Sequence, residues 1–74
     1  MWKKIEEKIH FTLGQMTAYL KENNIDYERE AVEWFTKGHE ADVTELNIWL
    51  RDSFVLIFYD KDGNMTHYNI DVDY

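Results

Sequence analysis

Histidines and carboxylates are the side chains here that could move a proton or hold a metal. The histidines are His10, His39 and His67, set among 15 aspartates and glutamates. The one local pairing is His39-Glu40 with Asp42; the other two histidines stand on separate stretches of chain. A site of two histidines and a carboxylate would need those stretches to converge, and no spacing in the sequence supports that. Asp60-Lys61-Asp62-Gly63-Asn64 carries part of a helix–loop–helix calcium pattern. With Gly63 in that loop's glycine position, Phe58 falls on the first ligand position and Asn69 replaces the closing bidentate glutamate, so a turn is expected instead.

Nucleophilic catalysis lacks its parts as well. The chain has no cysteine, no serine flanked by glycines and no glycine-rich phosphate loop. Some pair of acids can always be found among 15, so paired carboxylates carry no information. No catalytic residue, metal or cofactor is expected, and the chain is not expected to be an enzyme. Without cysteine, disulfides cannot contribute to the fold.

Whatever surface acts must be positioned by one small domain, residues 1–74. Hydrophobic residues are 45% of the chain, and a domain of this size buries roughly 60% of the surface its unfolded chain exposes. The net charge of −7 argues against DNA or RNA as a direct partner. The longest apolar run, residues 54–59, falls far short of the roughly 20 residues that span a bilayer, and no secretory signal pattern is present. No membrane role is expected, and the expected location is cytoplasmic.

Ile5, Ile9, Leu13, Met16 and Leu20 recur at spacings of three and four, which predicts one long amphipathic helix over residues 1–23 ending at Asn23-Asn24. For residues 26–37, Asp26 as a cap, Ala31, Val32 and Phe35 as a stripe, and Lys37-Gly38 as a stop predict a short second helix. The competing reading is a strand, because valine, tryptophan, phenylalanine and threonine favour one. Glu-Arg-Glu inside a strand weighs against it. Residues 46–50, 54–59 and 65–72 predict three strands of an antiparallel meander. The fold class is therefore α+β: a long N-terminal helix, with a short second one, packed on a three-stranded meander.

Register decides which side chains that helix covers, since a slip of one residue exchanges the faces. An Arg51-Asp52 loop would set Asn47 beside Leu56. A loop of Arg51-Asp52-Ser53 gathers Leu46, Ile48 and Leu50 with Phe54, Leu56 and Phe58, and this register is the expected one. With Lys61, Asp62 and Gly63 as the next loop, Phe58 faces Thr66, Leu56 faces Tyr68 and Phe54 faces Ile70. The reverse face then carries Trp49, Val55, Ile57, Tyr59, Met65 and His67 together with Asn47 and Asn69, unusually apolar for a sheet back turned to water unless the second helix or residues 38–45 cover it.

Trp, Tyr and Met favour the centres of interfaces, so the first six of these residues are the candidate partner-binding site. The expected function is that of a small, acidic, non-enzymatic interaction module that binds a protein partner or itself as a homodimer. Charge supplies the alternative. Residues 1–37 carry net −1 and residues 38–74 net −6. An acidic rim of Asp60, Asp62, Asp71 and Asp73 could imitate phosphates and block a basic site on a target protein. The chain resembles, in general style only, the short accessory proteins of bacteria and their mobile elements; no motif carries that resemblance.

Overall fold

Two short helices precede four strands in the chain. The computed structural model describes residues 2–36 and 39–72, with 32–36 and 39–42 described by backbone pairing alone. The elements are α1 (Trp2–Glu7), α2 (Leu13–Glu22), β1 (Asp26–Thr36), β2 (His39–Trp49), β3 (Ser53–Tyr59) and β4 (Met65–Val72). The strands form one antiparallel sheet in the order β1-β2-β3-β4. The fold is α+β, but the long helix and the three-stranded meander expected from the sequence are both replaced.

The apolar stripe is continuous while the helix is not. Thr12 starts α2 with a capping box: its hydroxyl oxygen accepts the Gln15 amide N–H at 3.3 Å, and the Gln15 side-chain oxygen accepts the Thr12 amide N–H at 3.0 Å. Such a box satisfies amides left without partners at a helix start, so it stabilises a new helix where a continuous one would run on. The first amide of α2, Leu13 N–H, donates to the Gly63 carbonyl at 2.9 Å, which ties the helix to the β3–β4 turn. Ile5, Ile9, Leu13, Met16 and Leu20 all remain buried, because the intervening turn keeps both helices on the same face of the sheet.

The helix stop lies where asparagine predicts it. Asn24 has φ of 55°, its N–H donates to the Lys21 carbonyl, and the Ile25 N–H reaches back to the Leu20 carbonyl. This pattern closes a helix through one left-handed residue. The second helix over residues 26–37 is overturned: Asp26–Thr36 is strand β1, paired along its length with β2. Glu-Arg-Glu is at home there because β1 is an edge strand, where charge guards against pairing with other chains. Lys37 and Gly38 lie outside the described residues.

The β2–β3 hairpin takes the rejected register. Leu50 N–H donates to the Ser53 carbonyl at 2.9 Å across an Arg51-Asp52 loop, and Asn47 stands opposite Leu56. Leu46 and Ile48 thus share a face with Val55, Ile57 and Tyr59, all five with no exposed surface, and both helices pack on that face. Phe54, Leu56 and Phe58 point the other way. The β3–β4 turn forms as expected: Gly63 has φ of +83°, and Tyr59 stands opposite Met65. A bulge then shifts the register, so Phe58 faces His67, Leu56 faces Asn69 and Phe54 faces Asp71. Thr66 is the extra residue, and its hydroxyl donates to the Phe58 carbonyl at 3.2 Å.

Candidate functional site

Among the described residues, the helices cover one face of the sheet and leave the other open. Cross-strand partners share a face, so the register sets out the part of the open face that all four strands share in three rows. One end row is Asp26, Trp49, Phe54 and Asp71; the middle row is Glu28, Asn47, Leu56 and Asn69; the other end row is Glu30, Glu45, Phe58 and His67. Phe54, Leu56 and Phe58 line up along β3, and Trp49 joins them from β2.

Two pairs of rings on this face are in contact: Trp49 with Phe54, and Phe58 with His67. Trp49 is 47% exposed, and its ring lies 5.8 Å from that of Phe54 in a tilted arrangement. Phe54, Leu56 and Phe58 are half-buried. The His67 ring stacks on Phe58 at 4.2 Å, and its Nδ1 lies 3.1 Å from the Thr66 hydroxyl. Contact between rigid rings lowers the entropy lost when a second molecule covers them.

The sequence-derived site is divided by this register. Trp49 and His67 lie on the open face. Val55, Ile57 and Tyr59 are core residues beneath the helices and cannot meet a partner without unfolding. Met65 is half-buried and packs against that core. Tyr59 carries one anomaly: its hydroxyl is buried without a hydrogen-bond partner among the described residues, and burial pushes the phenol above the usual tyrosine range.

The acidic rim does not assemble either. Asp60 and Asp62 sit at the β3–β4 turn, whereas Asp71 lies near the opposite end of β4; Asp73 is outside the described residues. The Asp60 carboxylate also has a structural task, accepting the Asp62 and Asn64 amide N–H groups, both at 2.9 Å. The acids that do gather are Asp26, Glu28 and Glu30 along β1, with Glu45 beside them on β2. Their alternation at every second residue was a visible strand signal, masked by Asp26 also being a good helix cap.

Comparison of the chain with protein-family models, with curated proteins and with solved structures finds no match. Functional inference therefore rests on the geometry of the face itself. Among the described residues, no three histidine or acidic side chains converge as metal ligands, and no helix is long and apolar enough to cross a membrane. A surface cleft of about 280 Å³ is lined by Leu50, Arg51, Ser53, Phe54, Asp71 and Val72, at the Trp49 end of the open face.

Proposed function

We propose that this chain is a small, non-enzymatic protein-interaction module that binds a protein partner through the open face of its sheet. The observation that carries this reading is the contiguous set Trp49, Phe54 and Leu56, accessible on a face that neither helix covers. An exposed sheet face normally alternates to polar residues, so a cluster of large apolar side chains there is costly in water unless something covers it. Tryptophan is among the side chains that most often dominate binding energy at an interface. The nucleic-acid-mimic alternative has weaker support, because its proposed rim residues are dispersed and Asp60 is engaged in a turn.

Site-specific photo-crosslinking in a lysate of the source cells tests the proposal. A photoreactive phenylalanine analogue in place of Trp49 is expected to capture a discrete protein, and the same analogue in place of Ala18, exposed on α2, is expected not to. Capture from position 18 with none from position 49 would place recognition on the helices and refute the reading.

A further inference from the structure

We propose that the occupant of the open face is a basic amphipathic helix of a partner protein, lying along β3 with lysine or arginine side chains on its β1-facing flank. This assignment rests on the protein-binding reading above and adds the partner's chemistry. Charge is the first support. Of the twelve side chains in the three rows, five are carboxylates and none is lysine or arginine. The distribution is one-sided: Asp26, Glu28, Glu30 and Glu45 flank the apolar stripe on the β1–β2 side, against Asp71 alone on β4. A ligand that covers Trp49, Phe54 and Leu56 must bring cations to that flank or leave carboxylates partly desolvated and unpaired.

The shape of the stripe selects a helix. Within the three rows the apolar side chains are Phe54, Leu56 and Phe58 along β3 with Trp49 beside Phe54 on β2, and Asn47 and Asn69 bound Leu56 on either side. A second sheet packed on this face would need apolar side chains across several strands. From Phe54 to Phe58 is about 13 Å at a strand rise of about 3.3 Å per residue, close to two and a half turns of helix. β1 lies two strand spacings, about 10 Å, from β3, and a helix about 10–12 Å wide along β3 brings long basic side chains over Glu28 and Glu30.

A second copy of this chain fits poorly. Two open faces brought together would set the carboxylates of each copy against rows that hold no lysine or arginine, and the apolar stripes of α1 and α2 are already buried in the core.

The test is an NMR titration of the ¹⁵N-labelled full chain with two synthetic helical peptides. Both carry leucine at i, i+4, i+7 and i+11; one has lysine along a single flank, and the other has glutamate at those positions. The lysine peptide is expected to shift the amides of residues 26–30, 45–49 and 54–58, to leave residues 13–22 unshifted, and to bind at least about tenfold more tightly than its glutamate counterpart. The double variant Glu28→Lys, Glu30→Lys changes exposed edge positions and is expected to reverse that preference. Equal binding of both peptides on this face would overturn the basic-partner assignment and leave the protein-binding reading intact. Shifts confined to the helices, no shift with either peptide, or concentration-dependent self-association through β3 would also overturn it. Capture from position 49 decides the broader reading separately.

Discussion

Ile57 and Leu56 are neighbours on β3 with nearly the same side-chain volume, yet truncating each to alanine is expected to give very different results. Ile57 has no exposed surface and stands opposite Leu46 beneath the helices, whereas Leu56 is half-exposed between Asn47 and Asn69. Ile57→Ala removes three buried carbon groups, about 2.4 kcal/mol of transfer free energy at about 0.8 kcal/mol each. The unrelaxed part of the cavity adds more, giving about 3–4 kcal/mol within the range measured for such core truncations. A chain of this length typically has about 4–11 kcal/mol of stability, so Ile57→Ala removes about a quarter or more of it. Leu56→Ala loses only part of its contact with water-accessible neighbours and is expected to cost about 1 kcal/mol or less. Urea denaturation followed by circular dichroism reads the difference: with a slope of about 1 kcal/mol/M, the Ile57→Ala midpoint falls by about 3 M and the Leu56→Ala midpoint by about 1 M or less. A larger loss for Leu56→Ala would refute the Arg51-Asp52 register and return Phe54, Leu56 and Phe58 to the core.

Four further outcomes follow from the same structure. Thr12→Ala removes the capping box of α2 and is expected to cost about 1 kcal/mol by denaturation, with a small loss of helical signal; no change would mean the break between the helices is set elsewhere. Tyr59→Phe deletes a buried hydroxyl without a partner among the described residues and is expected to leave stability unchanged or raise it by up to about 1 kcal/mol, whereas a clear loss would reveal a partner for that oxygen. Because burial raises the Tyr59 phenol above its unfolded value, the unfolded chain releases that proton first. Stability should therefore hold below about pH 10 and fall above it, by up to about 1.4 kcal/mol per pH unit, and Tyr59→Phe should flatten the fall. Gly63→Ala places a side chain at φ of +83° and is expected to destabilise by about 1–2 kcal/mol; an unchanged melting temperature would show that the turn relaxes freely.

The buried helical stripe and the β3–β4 turn were legible in side-chain type, whereas the long helix, the strand count and the β2–β3 register were not, for specific physical causes. The buried stripe from Ile5 to Leu20 follows from its spacing, but that spacing cannot distinguish one helix from two that share a face. Thr12-x-x-Gln15 was the available signal for the break. Asp26 as a cap and Lys37-Gly38 as a stop outweighed strand-forming residues that tertiary pairing with β2 then favoured. On β3 both faces are apolar, Phe54, Leu56 and Phe58 against Val55, Ile57 and Tyr59, so alternation could not say which faces the helices. The Arg51-Asp52 loop lacks the glycine or asparagine that would have fixed its length. The bulge at Thr66 has no composition signal and exchanges the faces of the rest of β4. Trp49 and His67 were placed on the open face through a register that put their neighbours on the wrong one.

The central claim is that Trp49 and Leu56 recognise a partner and do not hold the fold together. The most direct measurement is the affinity of the purified protein captured from position 49 for the wild-type chain and for Trp49→Ala, alongside the urea midpoints of both. The expected result is binding weakened by about 30-fold or more, the mark of a dominant contact worth about 2 kcal/mol, with the two midpoints agreeing within about 1 M. Equal affinity for both chains, or a Trp49→Ala chain that fails to fold, would contradict the claim.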